Sequence, residues 1–267
     1  MHHIIDEDWP EAMKVYCQRL IELFGMPIPG LSQSGNTLSV RYSKGNHSFK
    51  DSKYFLDPKD QSFSHLTTYR GLFSIINSGV LRLYNLNNSN DPNELFSLAG
   101  IPTYENVSEN IKPYVYTFSF CKASQVANPA MWRDYGQVSL NFEIVNDPLA
   151  WEYYRISPLH YGGSEFVPKY VVLLDEMHKR FPQWNFSPDL ESLLSLLAFH
   201  KESAHKHEEE IRLLYVPFMF DDRGEAQFDF RVSEVRTGAT KFIELQLLAA
   251  DEQKAIDHCL TKGNLMK

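Results

Sequence analysis

Glu208, Glu210 and Arg212 come closest to chemistry by residue type and spacing. They stand in the run Glu208-Glu209-Glu210-Ile211-Arg212-Leu213-Leu214-Tyr215-Val216, whose apolar density predicts a strand. Side chains two apart on a strand share a face, so these three line one side while Ile211, Leu213 and Tyr215 line the other. Carboxylates this close raise the proton affinity of one of them where the site is even partly buried. They can then divide the work: one stabilises a developing cation, the other orients or deprotonates an attacking group. A plainer reading also fits, in which 208–210 is a solvated strand start and Glu210 pairs with Arg212 across the pleat.

Histidines offer two further candidates. His205 and His207 share a face if the chain there is extended, close to His200, and a carboxylate neighbour invites a zinc reading. The junction is rich in Lys and Glu, however, and no spacing fixes a third ligand, so no metal site is expected. His65 ends an apolar strand with Thr67 two residues on, ahead of a helix, and can present its imidazole to a ligand. A lone histidine is also commonly a satisfied structural residue.

The commoner catalytic signatures are missing. No Gly-x-Gly-x-x-Gly follows a strand, no Walker-type Gly-Lys-Ser/Thr is present, and neither a Gly-x-Ser-x-Gly elbow nor a His-Glu-x-x-His helix exists. The formal charge of -8 excludes a global attraction to nucleic acid or anionic lipid, while leaving room for a local groove. Cys17, Cys121 and Cys259 are far apart with no Cys-x-x-Cys pair, against a disulfide framework or a thiolate zinc site. The acidic start lacks a basic and apolar leader, and no apolar run approaches the ~20 residues that span a bilayer. A cytoplasmic protein without a membrane partner is expected.

The elements that must position these residues follow from periodicity. A helix from about Asp8 to Phe24 is expected, capped by Asp8 with Glu11 in capping-box position. Met13, Tyr16, Cys17, Leu20, Ile21 and Phe24 form its apolar stripe, and Gly25 stops it. Residues 28 to 64 are rich in Gly, Ser, Asn and Lys and suggest a loose hairpin with a strand at Thr37 to Tyr42. This divides the chain into a helix and loop-rich extension, 1–61, packed on a main body, 62–267. In the body, strands are expected at 64–67, 80–84, 114–121, 138–144, 208–216, 227–232 and 241–248. Helices are expected at Arg70 to Ser78, around Met131 to Tyr135, after Ser187-Pro188 as cap and first turn, and from Asp251 to Leu260. Helices thus interrupt strands irregularly, which predicts an α+β fold with a mixed or antiparallel split sheet.

Several of these pieces occur in an order that resembles a known family. Asn90-Asp91-Pro92-x-Glu94, Ser119-Phe120, Met131-Trp132-x-x-Tyr135, Lys201, Glu208-x-Glu210-x-Arg212 and Val235-Arg236-Thr237-Gly238 follow one another as in a widespread bacterial domain of unknown function, number twenty-nine seventy-one. The likeness covers about residues 62 to 262. One departure is His205, where the family usually carries a Trp before the paired glutamates.

A more distant likeness implies a chemistry. His65-x-Thr67, the helix with Gly71-Leu72 and Ile75-Ile76, and Gly79-x-Leu81 resemble the opening of ADP-ribosyltransferases. That resemblance implies NAD as substrate, an ADP-ribosyltransferase-like fold, and a role in toxicity or phage defence. Glu210 would be the carboxylate that stabilises the ribosyl cation, and Glu208 the accessory glutamate that orients or activates an acceptor. His65 would hydrogen-bond a ribose hydroxyl, with Thr67 beside it. One of Ser119 or Tyr135 would fill the middle position, and Tyr135 or Trp132 could stack on a flat ring. The acceptor would be a protein, a nucleic acid or water. Two alternatives remain: a non-catalytic nucleotide- or nucleic-acid-binding module on the same fold, and a metal-dependent hydrolase built on His205 and His207.

Overall fold

Eight strands that form one antiparallel sheet dominate the computed structural model, which describes residues 9–25, 30–41, 45–59, 61–78, 83–86, 112, 115–122, 124, 128–136, 138–144, 154–162, 166–188, 196–216, 230–237 and 242–243. They are β3 (Ser62–Thr67), β4 (Tyr84–Asn85), β5 (Tyr116–Lys122), β6 (Val138–Ile144), β7 (Tyr154–Pro158), β11 (Glu210–Tyr215), β12 (Phe230–Thr237) and β13 (Phe242–Ile243). Their order is β13-β12-β6-β3-β5-β11-β7, with β4 against β5. Central strands are buried on both faces: Val138, Ser139, Leu140 and Asn141 of β6 are all enclosed, as are Glu210 to Leu214 of β11. The fold is α+β, as the irregular alternation of elements predicts.

The first helix, α1 (Glu11–Phe24), buries Met13, Tyr16, Cys17, Leu20 and Phe24, the expected stripe except for the half-buried Ile21. Gly25 closes it in the left-handed conformation, φ 59°, donating to the Ile21 carbonyl oxygen. The helix starts later than expected: its N-cap is Pro10, extended at φ -52° and ψ 143°, with no side-chain cap. Proline suits the edge of a helix rather than its interior, so Pro10 takes the cap position expected of Asp8, which lies outside the described residues. Gly30–Ser34 (β1) and Thr37–Arg41 (β2) make the expected hairpin, which continues in parallel onto Asn185–Pro188 (β9). Ser187 and Pro188 therefore lie at the end of a strand, with Thr37 to Val40 as a pairing partner that local sequence does not reveal, and residues 189–195 of the helix expected after them lie outside the described residues.

Residues 9 to 59 share one apolar core with the later chain. Tyr16, Leu20, Leu38, Phe49 and Tyr54 pack with Leu159, Phe199 and Leu214, and with Tyr170, Leu173 and Met177 of the helix Phe166–Arg180 (here α4). The Tyr16 and Tyr170 hydroxyls meet at 2.6 Å. The same segment covers the outer edge of β7: Asn46 Oδ1 accepts from Ile156 N, and Leu56 N donates to Ile156 O. An exposed pairing edge is thereby closed. No helix among the described residues is long and apolar enough to cross a membrane. The Asn-rich loop at 87–94, the strand start at 80–82 and the closing helix at 251–260 lie outside the described residues.

Candidate functional site

The centre of the sheet is split. β3 pairs with β5 only at Phe63–Lys122 and Ser64–Cys121, and β4 takes up β5 at Thr117 and Tyr116. Continued register would set Leu66 opposite Ser119, but the strands have parted there. Between them opens a cleft of about 580 Å³, in the size range of small-molecule sites. Its walls include His65, Thr67, Ser119, Tyr135, Lys201, Glu208, Glu210 and Arg212. Six of the seven residues expected from sequence thus meet in one place. Trp132 does not line the cleft; it packs on the small cluster of Leu66, Cys121 and Met131.

Glu208 and Glu210 converge by a route that differs from the expected one. Residues Ser203–Glu208 form a 3₁₀ helix, Glu209 is left-handed at φ 44° and exposed, and β11 begins only at Glu210. A two-residue strand period therefore does not relate the two carboxylates. Nor is this a solvated edge: Glu208 is 3% exposed, Glu210 6% and Arg212 2%. Burial holds because each group has partners.

Those partners form a closed ionic group. Lys201 Nζ lies 2.8 Å from Glu208 Oε2 and 3.2 Å from Glu210 Oε2. Arg212 donates from Nε (2.9 Å) and Nη2 (2.8 Å) to Glu210 Oε1, which also accepts from the Ser119 hydroxyl at 2.5 Å. Arg212 Nη1 is spent on the Ala198 carbonyl oxygen. Glu208 Oε1 accepts from the Tyr135 hydroxyl and meets His205 Nδ1 at 2.9 Å. Burial alone would raise the Glu210 carboxyl, but Arg212, Lys201 and Ser119 outweigh it and hold it below its ordinary range. Burial likewise works against the Lys201 ammonium, and Glu210 and Glu208 prevail, raising it. Two anions and two cations make the floor electrically neutral.

The opposite wall is a histidine with a fixed proton. His65 Nδ1 is 2.9 Å from the Ser119 carbonyl oxygen, which can only accept, so Nδ1 carries the hydrogen. Burial lowers the imidazole below its ordinary value more than this bond raises it. His65 is thus neutral at neutral pH, with Nε2 left as an acceptor. Ser119 joins the two walls, its carbonyl to His65 and its hydroxyl to Glu210. Burial, then the bond to Glu208, keeps the Tyr135 hydroxyl protonated. Cys121 also lines the cleft, but burial pushes its thiol up to about 12, which leaves it unreactive.

Sequence reasoning gave no role to Lys201 or Tyr161. The Tyr161 hydroxyl accepts the Glu210 backbone N–H at 2.8 Å, pinning the first residue of β11. A signal for Lys201 did exist: it comes two residues after the apolar run Leu196-Leu197-Ala198-Phe199, with His200 between, where a cation needs a buried partner. His207 is exposed and bonds the Ala204 carbonyl oxygen, while His200 faces Tyr54. Among the described residues no three His, Cys, Asp or Glu side chains are grouped to hold a metal. Compared with known proteins, the chain matches no family model, no curated protein and no solved structure.

Proposed function

We propose that the cleft binds NAD and cleaves its nicotinamide–ribose bond, passing the ADP-ribosyl group to a protein, a nucleic acid or water. The observation that carries this reading is the linkage of Glu210 and His65 through Ser119, from strands on either side of β5, in the lining of one cleft. A carboxylate oxygen has two acceptor directions. Glu210 Oε2 meets one donor, Lys201, among the described residues, so it retains a direction for a ribose hydroxyl. His65 Nε2 is a second acceptor for the same sugar. The residues that resemble the bacterial domain family, Ser119, Tyr135, Lys201, Glu208, Glu210 and Arg212, line this cleft. The parting of β3 and β5 supports an ADP-ribosyltransferase-like split sheet.

In the reaction the glycosidic C–N bond breaks and its electron pair leaves with nicotinamide. Positive charge builds on the ribose, as in glycoside cleavage. A carboxylate fixed against that ribose stabilises the charge where it develops. Glu210 is held ionised for this role by Arg212 and Lys201. Glu208 orients the acceptor and takes its proton as the new bond to ribose forms. A toxin or phage-defence effector that depletes or transfers from NAD fits such a site.

A second reading is favoured by one observation. Glu210 is already met by Ser119, Lys201 and Arg212, which suits a non-catalytic nucleotide-binding module as well as an enzyme. Labelled NAD with cell extract separates the two. Wild type should release nicotinamide or transfer label, and Glu210→Gln should not. Intact dinucleotide with both proteins, across several acceptors, would overturn the enzyme reading; tight binding without turnover would establish the module.

A further inference from the structure

Lys201 belongs to a two-residue strand, His200–Lys201 (β10), that pairs in parallel with His160–Tyr161 (β8). Its backbone is held along one edge by that partner: Gly162 N donates to Lys201 O at 3.0 Å, and His160 N to Phe199 O at 2.8 Å. Tyr161, its register partner, grips the backbone N–H of Glu210. The lysine side chain is only 8% exposed and ends between two carboxylates. The main chain between those carboxylates is bent into the left-handed region at Glu209, φ 44°, a conformation that a non-glycine residue adopts at a cost. Without that bend Glu208 would not sit at the end of a 3₁₀ helix and still reach the same ammonium as the first residue of β11.

We infer that Lys201 is the positioning residue of the carboxylate pair, an anchored cation that clasps Glu208 and Glu210 and sets the distance between them. Arg212 does not do the same work: its hydrogen bonds among the described residues go to Glu210 and to Ala198, whereas Lys201 reaches both carboxylates. The two Oε2 atoms that share Nζ are no more than about 6 Å apart, the range in which like charges alter each other's proton affinity. A neutral residue at 201 would leave that repulsion opposed at Glu210 by Arg212 and the Ser119 hydroxyl, without the cation the two carboxylates share. It would also release the Ser203–Glu208 turn, which carries His205, from its ionic tie to the sheet. As a statement about catalysis this rests on the reading of Glu210 as the reacting carboxylate; as a statement about the pair it does not.

The test is carboxyl titration by carbon NMR of glutamate-labelled full-length protein without ligand, following Glu210 in wild type, Lys201→Met and Lys201→Arg. Lys201→Met should move the Glu210 midpoint up by about one pH unit or more, and Lys201→Arg should largely restore it. An unmoved midpoint in folded Lys201→Met overturns the inference, even if melting temperature falls. If Lys201→Met does not fold at neutral pH, adding Glu208→Gln should recover folding, since it removes one negative charge with the lost positive one. Failure of that rescue assigns Lys201 to packing and also overturns it. Where turnover is measurable, the Lys201→Met loss should fall on kcat rather than KM. Absence of NAD cleavage in wild type would end the enzyme reading and leave the titration result standing.

Discussion

His65 Nδ1 donates to the carbonyl oxygen of Ser119 at 2.9 Å, just past the point where β3 and β5 stop pairing. A side chain there closes a gap that backbone bonds have left. The same bond fixes the proton on Nδ1 and turns an acceptor, Nε2, to the ligand side. One residue therefore both holds the split open at a set width and equips its wall.

These two duties separate by substitution. His65→Asn keeps a donor near the Nδ1 position and lacks an equivalent of Nε2. Its stability should stay within about 1 kcal/mol of wild type, while affinity for NAD falls about five- to tenfold. His65→Ala should lose both. Urea denaturation and calorimetry read the two effects; an Asn variant with undiminished affinity would remove His65 from the ligand contacts.

Arg212 offers a stability test of the ionic group. Arg212→Met removes two donors from Glu210 and one from Ala198, leaving a buried carboxylate short of partners. Breaking a buried pair from one side costs about 3–5 kcal/mol. The double variant Arg212→Met with Glu210→Gln should be less destabilised than the sum of its parts, because the orphaned charge is gone. Additive losses in denaturant melts would mean that the pair is not coupled.

How much of this was legible in the sequence differs by element. β6 runs Val138–Ile144 as its alternation predicts, and β3 and the helix Tyr69–Ser78 (α2) lie within two residues of expectation. Those segments carry their own periodicity. Glu208 was placed on a strand because nothing in a Glu-Glu-Glu run announces a left-handed residue at its centre; that bend exists because Lys201 and Tyr135 hold Glu208 from elsewhere. The Ser187-Pro188 pair has helix-start chemistry and also closes a strand paired with β2, a partner distant in sequence. His65, Ser119, Tyr135 and Glu210 take their roles from type and order; Lys201 stands in the same order, but its role as the cation between the carboxylates needs the fold, because its two-residue strand is too short to show which way it faces.

Two glycines beside Thr67 should respond unequally to the same substitution. A methyl at Gly136, which sits at φ 143° where the helix Pro129–Tyr135 (α3) ends, would lie 2.2 Å from the Thr67 carbonyl oxygen, a backbone atom. Gly136→Ala should therefore cost upward of about 2 kcal/mol, through strain and displacement of β3. A methyl at Gly71 would meet the Thr67 hydroxyl, a side-chain end that can rotate, and α2 gains an alanine in exchange. Gly71→Ala should leave stability within about 1 kcal/mol and alter ligand affinity through the moved Thr67 hydroxyl. Equal destabilisation by the two variants would contradict this geometry.

Acid sensitivity should come mainly from two histidines outside the cleft, with His65, also lowered by burial, adding to it. His200 Nε2 lies 2.8 Å from the Tyr54 hydroxyl, and its ring is 5.5 Å from that of His160, whose Nε2 is buried with no partner among the described residues. Burial first, and then the charge of Lys53, pushes His160 down to about 4 and His200 to about 3. Both stay neutral in the fold while the unfolded chain takes up protons near pH 6.5. The unfolded state then binds more protons, so stability rises with pH. The histidines' contribution is complete above pH 6.5 and is lost as pH falls toward 4 and 3. While only the unfolded form is charged, each histidine adds a slope of about 1.4 kcal/mol per pH unit. His200→Gln keeps a polar atom for Tyr54 and cannot titrate, so the fall in Tm from pH 6.5 to 4 should become shallower by the share of this one histidine. A profile as steep as wild type would show that the acid sensitivity lies elsewhere, with the Glu210 pairing the next group to examine. Glu210 loses its contribution only as pH drops below its unfolded value, about 4.3, toward its lower folded one, so the two effects separate along the pH axis.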